Sequence, residues 1–235
     1  LTYAITGGSA DSSLAGYDLA RTGTYGKLHL NSGNGNYTYV PDDSAIEGAK
    51  TSVSENFTLS VSDGSANSTQ TLTATINGAD DATSLAALTG FSFTDTSGDD
   101  SFSNATGTAS GSDRDTSDTL TYAITGGSAD SGLAGYDLAR TGTYGKLYLN
   151  SSNGNYAYVP DDSAIEGAKS SVGEDFILSV TDGNTTATQR LTASVTGVND
   201  SLSVASLTAI SITDTAADDS FSATTASVSA TDRDT

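Results

Sequence analysis

Apolar and polar residues alternate in short runs along the whole chain, and helical spacing is nearly absent. In Phe57-Thr58-Leu59-Ser60-Val61 the residues Phe57, Leu59 and Val61 share one face, and Leu72, Ala74 and Ile76 share a face of the next run. Tyr3-Ala4-Ile5 and Tyr17-Asp18-Leu19-Ala20-Arg21 read as shorter strands. Residues 27–31 and 36–40 flank Ser32-Gly33-Asn34-Gly35, and Asn-Gly in so short a loop is a strong hairpin signal. Pro41 ends the second of these strands, because proline cannot donate to a ladder. Residues 44–50 form the one candidate for a helical turn, Asp63-Gly64 makes a turn, and Gly78-Ala79-Asp80-Asp81 is a linker. The pattern predicts an all-β sandwich of about eight short strands joined by Gly, Asp and Asn turns.

The pattern repeats. Leu1-Thr2-Tyr3-Ala4-Ile5-Thr6-Gly7-Gly8 recurs at Leu120 to Gly127, an offset of 119 that holds without a gap to the end of the chain. Residues 82–116 recur more loosely at 201–235, keeping Asp95/Asp214, Asp99-Asp100/Asp218-Asp219, Phe102/Phe221 and an Asp-Arg-Asp-Thr tetrad. Boundaries therefore fall after Asp81 and Asp200. Residues 1–81 read as the C-terminal two thirds of a repeat, 82–200 as one complete repeat, and 201–235 as the N-terminal third of another. Within the complete repeat, residues 85–95 and 102–111 supply the first two strands. A module of this size buries roughly two thirds of its unfolded surface and can hold its own core. The chain reads either as a window on a longer array or as a subunit whose end completes its neighbour's beginning.

Composition narrows the function. The formal charge is −20, and the acids are almost all Asp, with Glu only at positions 47, 55, 166 and 174. Short Asp side chains suit turns and oxygen cages for hard cations. Such a charge repels nucleic acid and anionic membranes, so neither is an expected partner. There is no Cys, Met or Trp, which excludes disulfides and thiolate sites. An extracellular module without disulfides needs another staple, and a metal ion is the evident one. His29 is the single histidine and its repeat counterpart is Tyr148, so no Ser/His or Cys/His nucleophile can be assembled and the chain is not read as an enzyme. His29 itself reads as a lone exposed strand residue.

The candidate chemistry centres on Asp113-Arg114-Asp115-Thr116-Ser117-Asp118, three carboxylates within six residues ahead of the apolar run at 120–124. Two carboxylates about 4 Å apart repel by roughly 4 kcal/mol at an effective dielectric near 20. A fold that gathers several is unstable without a cation, and calcium, with its 6–8 oxygen ligands in flexible geometry, suits loops. Asp99-Asp100 and Asp218-Asp219 read either as a turn or as holders of a further ion. Asp42-Asp43 with Glu47, and Asp161-Asp162 with Glu166, read as a strand-ending turn with a helix cap rather than a glycosidase pair. Tyr25, Tyr37, Tyr39 and their counterparts leave open a sugar-stacking strip.

The Asp-x-Asp pair before Leu-Thr-Tyr-Ala-Ile, the Asp182-Gly183 turn and the closing Val195-Thr196-Gly197-Val198-Asn199-Asp200 resemble a cadherin-type module. With Thr143-Tyr144-Gly145-Lys146-Leu147-Tyr148-Leu149 and Gly154-Asn155-Tyr156-Ala157-Tyr158-Val159-Pro160, the order resembles the VCBS-type repeats of giant RTX-type bacterial adhesins. The resemblance covers the whole chain. It implies tandem Ig-like (cadherin-like) sandwiches with calcium (Ca2+) at the junctions, in a protein secreted to the cell surface. Carried over by residue, it implies metal ligation by Asp113, Asp115, Asp118 and Asp182 with linker acids Asp80 and Asp81. The next linker offers Asn199 and Asp200, the third pair is Asp232 and Asp234, and Asp63 is the Asp-Gly acid of the first repeat. The cadherin Asp-Arg-Glu triplet is absent, as is the glycine-rich nonapeptide of the calcium β-roll. The expected role is a calcium-rigidified extracellular spacer of an adhesin or surface fibre, partnered by neighbouring repeats. The alternatives are a filament subunit joined head to tail by fold complementation, and a glycan- or surface-binding module.

Overall fold

A computed structural model describes residues 1–234; the last residue of the second Asp-Arg-Asp-Thr tetrad, Thr235, lies outside them. The protein is an all-β sandwich chain. Its first elements are β1 (Thr2–Ile5), β2 (Ser9–Ala10), β3 (Leu19–Thr22), β4 (Gly26–Leu30), β5 (Tyr37–Pro41), α1 (Asp43–Glu47), β6 (Val53–Ser62) and β7 (Asn67–Ile76). Next come β8 (Ser84–Leu85), β9 (Phe91–Thr94), β10 (Ala105–Thr108) and β11 (Gly111–Ser112). The first set then recurs as β12 (Thr121–Ile124), β13 (Ser128–Ala129), β14 (Leu138–Thr141), β15 (Gly145–Leu149), β16 (Asn155–Pro160), α2 (Asp162–Glu166), β17 (Val172–Thr181) and β18 (Thr186–Thr196). The described elements end with β19 (Ser203–Val204) and β20 (Ala230–Thr231). The strands beyond the expected eight between residues 82 and 200 are the two-residue β8, β11 and β13. Among the described residues no helix is long and apolar enough to cross a membrane.

Two compact units form. The first gathers Leu1–Ser84, Gly111–Leu120 and Thr181–Thr186. It holds a three-stranded sheet, β1-β6-β7, and a four-stranded sheet, β2-β3-β4-β5. Ile5, Leu28, Leu30 and Phe57 make its core, with Leu59, Leu72 and Ala74 packed partly buried against them. The β4–β5 turn follows the Asn-Gly signal, with Gly35 at φ +79, where a side chain would be strained.

The second unit gathers Leu85–Ser110, Thr121–Val180 and residues 187–234. A five-stranded sheet, β10-β16-β15-β14-β13, faces a four-stranded sheet, β12-β17-β18-β9. Between them Phe91 lies 5.8 Å from Tyr156, Phe93 lies 5.4 Å from Tyr158, and Tyr158 lies 6.0 Å from Phe176, measured between ring centroids. The alternation read in the sequence is complete here: Phe176, Leu178, Val180, Leu191, Ala193 and Val195 are all buried. Each single-turn helix starts from the expected cap, with Asp42 accepting from the Ala45 N–H and Asp161 from the Ala164 N–H.

Three expectations change. His29 is buried, only 3% exposed, because β4 is buried on both faces and Tyr17 packs 6.2 Å from the imidazole. Tyr156 and Tyr158 are core residues of the second unit, which leaves no sugar-stacking strip from this pair there. Residues 201–234 rebuild the short β8–β11 pair of their counterparts 82–115 as β19–β20, but not the strands β9 and β10. Among the described residues of this stretch only β19 and β20 pair, and Leu202, Leu207, Ile210, Ile212, Phe221 and Val228 stand exposed.

Candidate metal centre

In the first unit the Asp-rich loop is built by its own backbone. Asp113 Oδ1 accepts the Asp115 N–H at 2.9 Å, and the Asp115 carbonyl accepts the Asp118 N–H at 3.0 Å. Short Asp side chains bonding two residues on are the turn chemistry that this composition favours. The linker is tied to the loop through Asp115, whose Oδ2 accepts the Asp81 N–H at 2.7 Å. A second tie comes from the Asp182 turn. Asp182 Oδ1 accepts the N–H groups of Asn184 and Thr185. Thr185 Oγ1 accepts the Thr83 N–H at 2.9 Å, and Asn184 Nδ2 donates to Asp80 Oδ1 at 3.1 Å.

These ties gather five of the predicted acids into two overlapping groups. Asp80, Asp118 and Asp182 bring carboxylate oxygens within 4.8 Å of one another, as do Asp113, Asp115 and Asp118. The first group contains a cation of the chain's own. Lys50, three residues after α1, places Nζ 2.8 Å from Asp118 Oδ2 and 2.9 Å from Asp80 Oδ1. The lysine holds the Asp80 carboxyl below its usual range, helped by Asn184, and the Thr185 and Asn184 N–H groups hold Asp182 low. In the second group Asp115 is 2% exposed with Oδ1 unbonded, and Asp113 Oδ2 is also buried and unbonded.

The second unit repeats the arrangement at the 119-residue offset. Asp234 Oδ2 accepts the Asp200 N–H at 2.6 Å, and Asp232 Oδ1 accepts the Asp234 N–H at 3.1 Å. Asn199 turns its amide back to the Asp200 carbonyl. Around this pair lie acids that a reading of the sequence keeps apart. Asp95 sits at the end of β9, where Oδ2 accepts the Val198 N–H at 3.1 Å. Glu166, the last residue of α2, accepts the Asp100 N–H at 2.9 Å. Asp95, Asp100 and Glu166 bring oxygens within 4.8 Å of one another. Burial, first, and the charges of Asp95 and its acidic neighbours push both Glu166 and Asp200 above the usual carboxylate range.

Buried oxygens without a partner are the common feature. Asp95 Oδ1, Glu166 Oε2, both Asp200 oxygens and Asp234 Oδ1 are buried and unbonded. Native structures leave few such atoms, because each carries a desolvation cost with no hydrogen bond against it. A set of hard oxygens lacking partners fits a calcium ion. The Asp-Arg-Asp motif and linker acids are visible in sequence as a local pattern. Glu166 and Asp95 are not joined to it there, although each has a counterpart at the same offset, Glu47 and Asp214. Asp63 stands apart, its Oδ1 accepting the N–H groups of Ser65 and Ala66 in its own turn. Asp99-Asp100 forms part of a turn, Asp100 Oδ2 accepting the Thr96 N–H, and Asp100 is also in the cluster.

No family model and no curated protein matches this chain. Among solved structures it is similar to cadherin extracellular domains. Protocadherin gamma B7 extracellular cadherin domains 1–4 align at 16% identity and TM-score 0.34 over 92% of this chain and 50% of that one. Mouse clustered PcdhgC3 EC1-3 aligns at 13% identity and TM-score 0.33 over 85% and 56%. Human protocadherin-24 EC1-2 aligns at 14% identity and TM-score 0.31 over 84% and 81%. The chain spans about half the length of the first two.

Proposed function

We propose that this chain is a structural segment of an extracellular adhesin or surface fibre, a run of VCBS-type, cadherin-like repeats whose joints are stiffened by calcium. The observation that supports it most is the set of buried carboxylate oxygens without partners at Asp95, Asp113, Asp115, Glu166, Asp200 and Asp234. In water these groups would keep their hydration; buried together they repel, so the fold is stabilised by whatever cation they share. The donors that would hold the ion are Asp113, Asp115 and Asp118 at the first joint. At the second they are Asp95, Asp100, Glu166, Asp200 and Asp234. The ion would supply positive charge and oxygen coordination.

The chain's own residues set the consequences. The Asp81 and Asp200 N–H groups already fix each linker to an Asp-x-Asp loop, so binding at the carboxylates would lock a contact that exists rather than create one. A ligand of the folded state stabilises by mass action. Extracellular modules of this kind hold calcium with dissociation constants of about 0.1–1 mM. Thermal unfolding in millimolar calcium and in excess chelator tests the reading: the midpoint rises with calcium, and an unchanged midpoint overturns it.

A further inference from the structure

Lys50 leaves the loop between α1 and β6 and reaches two other segments of the first unit, the linker at Asp80 and the Asp-rich loop at Asp118. Its Nζ lies 3.0 and 2.8 Å from Asp118 Oδ1 and Oδ2 and 2.9 Å from Asp80 Oδ1. An ammonium has three N–H groups, and these three oxygens accept them all. Asp182, from the turn between β17 and β18, brings a carboxylate oxygen within 4.8 Å of those of Asp80 and Asp118. The Asp118 side chain is 10% exposed and that of Lys50 23%, so the group is largely withdrawn from water.

The resemblance to cadherin-type repeats assigns Asp80, Asp118 and Asp182 alike to a metal ion. The lysine stands against that for this group. Calcium bonds its oxygens at about 2.3–2.6 Å, so an ion shared by these three carboxylates would fill the space that Nζ holds. Two cations there would also repel, and neither enters without moving the other. The other side of Asp118 has no such cation: Asp113 Oδ2 and Asp115 Oδ1 are buried and unbonded. We propose that Lys50 is a tethered cation standing in for one metal ion at the first joint. Asp113, Asp115 and Asp118 are then the ion-holding group, and Asp80 and Asp182 serve the lysine and the backbone. The ion at Asp113 and Asp115 rests on the calcium reading of the joint; the lysine's place among Asp80, Asp118 and Asp182 does not. A free ion leaves by mass action when calcium falls, whereas a covalently held charge is present at every calcium concentration. Linker and loop therefore stay tied through Asp80 and Asp118 in calcium-free solution, and calcium adds to a contact already made.

Lys50→Met keeps the apolar stem and removes the charge. Equilibrium dialysis against radioactive calcium counts the ions bound per chain. The variant is expected to bind one more ion than the unsubstituted chain, and adding Asp182→Asn to Lys50→Met takes the extra ion away. Reductive methylation of the unsubstituted chain, read by mass spectrometry, needs no variant. Lys50 is expected to react more slowly than its exposed repeat counterpart Lys169, in chelator and in saturating calcium alike. Equal ion counts in the two chains overturn the proposal, as does an extra ion that persists with Asp182→Asn. Labelling of Lys50 as fast as that of Lys169, or opened by calcium, overturns it too, and this result decides if Lys50→Met does not fold. No ion in the unsubstituted chain with one in Lys50→Met overturns the calcium reading of the joint and leaves the lysine's role standing. No ion in either chain overturns both.

Discussion

Lys50 Nζ lies 3.0 and 2.8 Å from the two carboxylate oxygens of Asp118, sixty-eight positions on in the chain. With Asp80 also within 2.9 Å, the ammonium sits among carboxylates that a metal ion would otherwise share. The first joint thus has a resident cation on one side, at Asp80, Asp118 and Asp182, and unpartnered oxygens on the other, at Asp113 and Asp115. Lys50→Met removes that cation and leaves its carboxylates facing one another. The expected outcome is a thermal midpoint several degrees lower in chelator and a larger rise on adding calcium than the unsubstituted chain shows. Calorimetry with and without calcium reads both.

Glu166 behaves in the opposite sense. Its folded pKa is raised above the ordinary value of 4.5, so the ionised form is the one that folding disfavours. The penalty is absent below the unfolded pKa, grows as pH rises through the folded pKa, and is fully present at neutral pH. Glu166→Gln, which keeps the shape and removes the charge, therefore raises the midpoint at pH 7 in chelator. Below the ordinary value of 4.5 the two chains converge, and in calcium the variant loses part of the gain. A neutral-pH midpoint in chelator that falls with Glu166→Gln would contradict the repulsion argued for Asp95, Asp100 and Glu166.

The legible parts of the site are those with local causes. Asp113 to Asp118 make a turn by bonding their own backbone, so composition and spacing alone point to them, and the repeat finds Asp232 and Asp234 at the same step. Asp182 enters only through the resemblance, since its meeting with the linker through Thr185 and Asn184 is long-range. Glu166 is passed over in the sequence because a carboxylate after a proline and a helix cap has a sufficient local explanation. Its burial depends on Asp100 and Asp200 arriving from elsewhere in the second unit. His29 is misread for the same reason: period-two alternation assigns one wet face to every strand, but β4 is buried on both. The strands of 82–112 are legible by alternation and form. The equally alternating 205–229 stays exposed, because a strand needs a neighbouring sheet and not only a pattern.

The two units give a paired test of packing. Leu191 and Leu72 occupy the same repeat position, but Leu191 is 1% exposed and Leu72 borders an apolar groove of the first unit. Leu191→Ala should destabilise the second unit by ~2–5 kcal/mol, the range for truncating a buried leucine. Leu72→Ala should cost less, since part of its surface is already in water. Urea unfolding of the two variants, followed by tyrosine fluorescence, compares them. Equal losses would mean that the first unit's groove is covered in solution.

Glu174 is the last position whose role the structure isolates. Its carboxylate accepts the Thr143 N–H at 2.5 Å, the Tyr144 N–H at 3.3 Å and the Tyr158 hydroxyl at 2.6 Å, tying the β14–β15 turn to β17. The Tyr158 hydroxyl is held well above its usual range by burial first and by Glu174 next. A Cβ at Gly142 would collide with the carboxylate, so a side chain there moves Glu174 away from its donors. Glu55, Tyr39 and Gly23 repeat the device in the first unit. Hydrogen bonds to a charged acceptor contribute about 1.5–3 kcal/mol each, so Glu174→Ala should cost at least ~2 kcal/mol. Gly142→Ala should cost a comparable amount by pushing the carboxylate off its donors. If the two losses share this cause, the double variant costs little more than either single one, and a double-mutant cycle in urea measures that coupling. Additive losses would mean that Gly142 and Glu174 act separately.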